Sequence, residues 1–442
     1  MLLTNAELVG GRTVDLRIDG EQIAAIKSTL DPHADERVID AEKRLLLPGA
    51  IDAHVHFREP GDPHKETWET GSRSAAAGGV TTVIDMPNTT PPTTTGEAFD
   101  AKADAARAAC IEYGINGGVS GDWEPDSLFE RPICALGEVF LADSTGDMGV
   151  APDDFEAAVE RAADEEVTIT VHAEDETLFD DDARNADASG VGHAANADLW
   201  STYRTAAAEA VAIEYATEVG QETGADIHIA HTSTPEGIDT AVDGDATCEV
   251  CPHHLYLSRD DLDELGTYGR MNPPLRGEDR RQAVFERVAD GTVDIVATDH
   301  APHTREEKET GLWDAPSGVP GVETMLPLLL NSARQGELSY ERVVDLVARN
   351  PADIFDLDSK GQIEPGYDAD LVLVDPDNPQ AIHDDDIHSK SGWTPFEGRR
   401  GVFPELTLVR GQVVYERTPS ERHGRGEDDE QFGDVDGQNV RA

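Results

Sequence analysis

Three short runs rich in β-branched residues end on a histidine or an aspartate: V-T-I-T-V-H at 167–172, A-D-I-H-I-A-H at 225–231 and V-D-I-V-A-T-D at 293–299. A fourth apolar run leads into D-A-H-V-H-F-R-E-P at 52–60, which sets two imidazoles two residues apart. Runs of this kind read as buried strands. Side chains at i and i+2 of a strand leave on one face, so His54 and His56 can converge on one ion. An H-x-H pair also arises by chance, as exposed or core-satisfied histidines on an edge strand. Four strands that all deliver His or Asp at their C-terminal ends constrain the chain far more, because they need a fold that gathers strand ends. They also make a metal site the leading reading, since imidazole is the commonest nitrogen ligand of zinc.

Strand-like runs begin near residues 46, 80, 115, 135, 167, 225, 246 and 293 and alternate with Ala- and Glu-rich stretches such as 153–165 and 205–218. Eight alternations over about 300 residues predict an α/β protein with a closed (β/α)8 barrel of the TIM type, placed here at 47–350. Such barrels carry their active sites at the C-terminal ends of the strands, where these His and Asp residues fall. The flanking pieces, 1–46 and 351–417, alternate in the strand manner in T-V-D-L-R-I-D-G and L-T-L-V-R-G-Q-V-V-Y-E. They predict one small β-sandwich domain built from both chain ends. Residues 418–442 are almost devoid of apolar side chains and read as an acidic mobile tail.

Acidic residues number 90 against 35 basic, a formal charge of −55. A surface this negative repels phosphate backbones and anionic bilayers, which argues against nucleic-acid and peripheral membrane partners. Because apolar segments recur along the whole length, the charge reads as a solvated surface on a folded protein rather than as disorder, suited to a cytoplasm at high salt where screening weakens self-repulsion. The N-terminus lacks a charged region followed by a long apolar core, and no run approaches the roughly 20 apolar residues of a membrane span, so a cytoplasmic location is expected. The four cysteines, Cys110, Cys134, Cys248 and Cys251, read as structural thiols rather than disulfide partners.

Taken in order, D-A-H-V-H-F-R-E-P-G, A-A-A-G-G-V-T-T-V-I-D-M-P-N-T, V-H-A-E, H-T-S-T, C-E-V-C-P-H-H-L, M-N-P-P-L-R, A-T-D-H-A-P-H-T and G-Y-D-A-D-L-V resemble the amidohydrolase superfamily and, within it, the dihydroorotases. The resemblance runs from about residue 45 to 370. It implies that His54 and His56 hold a first metal and His172 and His231 a second, and that Asp299 ligates the first and carries the proton. It further implies that Arg58, Asn88 and His303 read a substrate carboxylate, for which Arg offers a planar fork. Asn272 is placed to orient the ring amide. The implied reaction is the reversible, metal-dependent cyclisation of N-carbamoyl-L-aspartate to dihydroorotate in pyrimidine biosynthesis, on a small-molecule substrate and in a homodimer. An allantoinase- or hydantoinase-type cyclic amide hydrolase would share the metal residues and differ in the carboxylate-reading set, and a catalytically silent barrel that binds a protein partner is the reading from a different class.

One position departs from the pattern. Many family members bridge the two metals with a carboxylated lysine in a context like F-K-I-F followed by S-T-G. Here residues 137–146 read G-E-V-F-L-A-D-S-T-G, with Glu138 in the lysine's place, and no Lys lies between Lys102 and Lys308. A carboxylated lysine from this stretch is excluded, while Glu138 offers the same two-oxygen anion on a shorter stem. The expectation is therefore two zinc ions per chain bridged by Glu138. The rival is a single ion on His54, His56 and Asp299 with Glu138 as a structural carboxylate, although a lone buried anion is costly. His253 and His254 divide evenly between a supporting and a plain structural role, His228 is predicted to face outside the barrel, and 305–321 reads either as a lid or as a static loop.

Overall fold

The computed structural model describes residues 1–142, 144, 148–186, 197–417 and 430–442. The chain opens with five strands, β1 (Leu2–Leu8), β2 (Arg12–Asp19), β3 (Gln22–Lys27), β4 (Val38–Asp40) and β5 (Leu45–Pro48). Eight parallel strands follow: β6 (Ala50–Val55), β7 (Val80–Asp85), β8 (Glu112–Ile115), β9 (Leu136–Phe140), β10 (Ile169–His172), β11 (Ile227–Ile229), β12 (Thr247–Val250) and β13 (Ile295–Val296). Hydrogen bonding arranges them as runs of three and five. The parallel bridges Gly117–Leu136 and Val55–His300 join the runs into a closed barrel. Buried Asp52 reinforces the second seam, accepting from the Thr298 amide at 3.0 Å and the Thr298 hydroxyl at 2.6 Å.

The helices form where the apolar spacing dictates. In Pro152–Asp164 the buried residues are Phe155, Ala158, Val159 and Ala162, an i, i+3, i+4, i+7 stripe that faces the strands. Helix Trp68–Gly78 starts at a capping box on Thr67 and stops at Gly79, whose φ of +84° is the left-handed geometry that lets the chain turn straight into β7. A Cβ at Gly79 would come within 2.8 Å of the Leu326 side chain, so both conformation and space require glycine.

After the barrel come β14 (Leu371–Val374), the two-stranded ribbon β15 (Gln380–Ala381) with β16 (Arg400–Gly401), then β17 (Pro404–Val409), β18 (Gln412–Arg417) and β19 (Glu430–Phe432). Strands from both chain ends meet in one nine-stranded sheet, ordered β19-β18-β17-β14-β5-β1-β2-β3 with β4 beside β1. This sheet is the body of the β-sandwich domain, and alternation along it divides its side chains between two cores. Leu45, Leu47, Val372 and Val374 join the large cluster that includes the barrel strands and their helices. Leu46, Leu371 and Leu373 join a separate cluster with Leu3, Leu16 and Leu408. Among the described residues no helix is long and apolar enough to cross a membrane.

The C-terminal segment differs from the mobile tail expected at 418–442. Residues 418–429 lie outside the described residues, but β19 pairs antiparallel with β18, Val435 is buried in the large core, and the Val440 amide donates to the Tyr113 carbonyl at 2.9 Å. Sparse apolar residues suffice here because the segment adds to a sheet and a barrel that already exist. Val435→Asp should therefore lower stability by about 2 kcal/mol or more, since it buries an unpaired charge. A urea titration unchanged by the substitution would show that the segment does not pack.

Candidate metal centre

The predicted ligands arrive from five barrel strands. His54 lies within β6 and His56 just beyond it, Glu138 within β9, His172 at the end of β10, His231 two residues past β11 and Asp299 three past β13. Several of these positions have unusual backbones: φ is +33° at His231, +46° at Asp299 and +60° at Arg58. Left-handed conformations at residues other than glycine store strain and persist only where the surroundings enforce them. They aim the side chains into one cleft lined by His56, Glu138, His172, His231 and Asp299, together with Arg58, Asn88 and Asn272.

Glu138 is the hub. Its Oε1 lies 2.8 Å from His172 Nδ1 and 2.7 Å from His231 Nε2, and its Oε2 lies 3.4 Å from His54 Nε2. Asp299 Oδ1 sits 2.8 Å from His56 Nε2 and 3.5 Å from His54 Nε2. His54 thus belongs to two overlapping groups, one with His56 and Asp299 and one with Glu138 and His231, in each of which the ligand atoms lie within 4.8 Å of one another. Glycine before Glu138 is obligatory, because Gly137 has a φ of +128° and a Cβ there would stand 2.2 Å from the Thr170 carbonyl oxygen.

The far sides of the rings are held as well. His54 Nδ1 donates to Glu249 at 2.6 Å, His56 Nδ1 to Asn88 Oδ1 at 2.6 Å, and His172 Nε2 to Glu174 at 3.0 Å. These acceptors hold the rings so that His54 Nε2, His56 Nε2 and His172 Nδ1 face the cleft, where a cation would displace any proton they carry and take their lone pairs, as in carboxylate–histidine–metal arrangements. Glu174 is itself clamped by the buried Arg204 guanidinium. Burial alone would raise the Glu138 carboxyl, but the surrounding imidazoles, His54 foremost, hold it well below the usual carboxylate range. Burial would likewise raise Asp299, and the hydrogen bond from His56 outweighs it, so Asp299 stays an anion. For His172 burial opposes protonation, yet Glu138 and Glu174 lift its pKa to about 9.

This donor set fits divalent cations. Two buried carboxylates face four imidazoles, and His54 Nε2 is buried without a hydrogen-bond partner although its ring orientation is fixed. Lys102 offers no alternative bridge, since its buried ammonium is taken by Asp85 and the Met86 carbonyl.

The carboxylate-reading candidates sit beside the metal groups. Arg58 Nη2 lies 3.3 Å from His303 Nε2, which also approaches the Ser317 carbonyl at 3.0 Å. Asn88 Nδ2 is buried without a partner. Asn272 is held by Trp200 Nε1 at 3.1 Å, by the Ser317 hydroxyl at 3.2 Å and by Ser144 at 2.8 Å. The base of the loop after β13 is fastened by buried Lys308, which donates to the carbonyls of Arg270, Pro316 and Gly318 at 3.0, 2.9 and 3.0 Å.

Sequence reasoning missed Glu249, Glu174 and Arg204 and misplaced His228. His228 is fully buried, 3.2 Å from Glu249 and edge-on to the Phe355 ring, rather than outside the barrel. The two-residue alternation ends with β11 at Ile229, so it does not carry through to His231. The usable signal for Glu249 was a lone carboxylate in the otherwise apolar strand C-E-V, which needs a buried partner.

Comparison with known proteins follows the same lines. Residues 45–414 match the amidohydrolase family. The chain is 61% identical to a dihydroorotase of Halobacterium salinarum over 417 residues, 94% of this chain and 96% of that protein. It is 43% identical to a dihydroorotase of Methanosarcina mazei, covering 93% of each. Among solved structures, the L-hydantoinase of Arthrobacter aurescens superposes with a TM-score of 0.88 at 29% identity, over 94% of this chain and 96% of that one. The chain therefore belongs to the amidohydrolase family and, within it, to the dihydroorotases.

Glu249→Gln and Glu174→Gln should each weaken metal binding by roughly 10–100-fold without unfolding the barrel, the effect usual when a ligand histidine loses its carboxylate. Chelator competition on folded protein reads the change directly, and unaltered affinity in both variants would remove the supporting role assigned to them.

Proposed function

We propose that this chain interconverts N-carbamoyl-L-aspartate and dihydroorotate at a two-metal centre bridged by Glu138. The observation that carries the bridge is one buried carboxylate with oxygens 2.7, 2.8 and 3.4 Å from three imidazole nitrogens of three different strands. His54, His56 and Asp299 would hold one ion and His172 and His231 the other. Zinc is the default for such a donor set, and bound there it would supply a water of pKa near 7 and an electrophilic field on the scissile carbonyl.

The chain's own residues do the rest. Asp299, kept anionic by His56, accepts the proton of the attacking water at its carboxylate and returns it to the ring nitrogen as the carbon–nitrogen bond breaks. The carbonyl carbon becomes the new carboxylate, and cyclisation retraces the path. Arg58, with Asn88 and His303 nearby, binds the carboxylate that dihydroorotate carries and a plain hydantoin does not, and this distinguishes the reading from a hydantoinase despite the shared fold. Asn272, fixed by Trp200 and Ser317, orients the ring amide. A homodimer is the assembly we infer.

Asp299→Ala should abolish turnover in both directions in an ultraviolet assay of ring opening and closure while circular dichroism stays unchanged; retained turnover would remove the proton-carrier role. Replacing Arg58 by Met should raise KM for the carboxylated substrate by roughly tenfold or more, the loss of a charge-assisted hydrogen bond, with a smaller effect on kcat. Because no lysine is carboxylated in this reading, the catalytic centre should hold two metals per chain and activity should not respond to bicarbonate. A bicarbonate requirement, or one metal in the catalytic centre at full activity, would refute the Glu138 bridge.

A further inference from the structure

The turn that follows β12 brings Cys251, His253 and His254 together, with one ligand-type atom of each within 4.8 Å of the other two. All three side chains are buried, and none lines the catalytic cleft. Cys251 is extended, with φ −98° and ψ 152°, and follows Glu249 by two residues. It therefore leaves the backbone on the side from which Glu249 reaches His54.

Two ring nitrogens in this cluster lack the partner that burial demands. His254 Nε2 donates to the Pro273 carbonyl at 3.0 Å, which places the proton there and leaves Nδ1 with a lone pair, buried and unpartnered. His253 Nε2 is likewise buried without a partner. Burial keeps both rings neutral, the ligating form, and lowers the His254 pKa to about 3. Buried acceptors without donors are costly, and in native proteins they point to an ion or an ordered water.

We propose that Cys251, His253 and His254 form a separate, sulfur-containing site for one thiophilic divalent cation, zinc in the first instance. The sulfur and two ring nitrogens supply three positions of a tetrahedron and a water the fourth. On binding, the Cys251 thiol loses its proton to solvent and the thiolate pair of electrons goes to the cation. The site would tie down the end of β12, one turn beyond the carboxylate that orients His54, and so act as a structural staple rather than as part of the reaction.

The test is cobalt substitution of the full-length protein, produced in zinc-depleted medium. The catalytic centre has only nitrogen and oxygen donors, so an intense near-ultraviolet thiolate-to-cobalt band reports the new site alone and is indifferent to how the catalytic metals are bridged. We expect the band in the unaltered protein. It should vanish in Cys251→Ser along with one metal per chain, while dihydroorotate turnover remains. Absence of the band in unaltered protein, or its persistence in Cys251→Ser, overturns the proposal. Should Cys251→Ser fail to fold, His254→Asn takes its place: loss of the band supports the site, and an unchanged band overturns it.

Discussion

A single buried carboxylate between three imidazoles organises this molecule. Glu138 lies in a β-strand where water cannot solvate it, and only positive charge makes that placement affordable. The surrounding side chains answer that constraint: His54, His172 and His231 converge on it from three strands, and Glu249 and Glu174 hold the His54 and His172 rings from behind, as Asn88 holds His56 beside Asp299. Left-handed backbone at His231 and Asp299 is the conformational cost of making strand ends meet at one point. In relatives that use a carboxylated lysine, a modification supplies the bridging anion. Under the reading proposed above, Glu138 itself would supply it, at a position where the preceding glycine lets the backbone pass against the Thr170 carbonyl.

The interior and the surface obey opposite electrostatic rules. Inside, carboxylates are matched one by one, as in Glu174 with Arg204 and His172, or Asp85 with Lys102. Outside, the excess of 55 negative charges has no such matching and relies on salt to screen it. Similarity to a Halobacterium enzyme fits this division. Acidity that would destabilise a core is useful on a surface that must stay hydrated.

Much of this was legible in the sequence. The barrel could be read because parallel strands buried on both faces are short β-branched runs, and V-T-I-T-V-H or V-D-I-V-A-T-D state both a strand and where it ends. The histidine ligands and Asp299 are near one another because each sits at or just past such an end, and Glu138 joins them from the middle of β9. Other features depend on information that the linear pattern does not carry. Glu249 is an ordinary letter until β12 is set across the barrel from His54, and Glu174, two residues past His172, is one until the fold brings Arg204 against it. His228 was misassigned because strand periodicity was extended past the point where the strand stops. The terminal segment looked unstructured because its few apolar residues, Val435 among them, gain their meaning from the edge strand β18 and from a barrel strand far earlier in the chain, at Tyr113.

The pairing of β5 with β14 joins Leu47 to Val372, about 325 residues downstream. A chain emerging from the ribosome thus carries an unfinished sheet, with the triple leucine of β5 lacking its neighbour, through the synthesis of the whole barrel. Closure of so long a loop is slow, and a bare apolar edge invites pairing with other nascent chains.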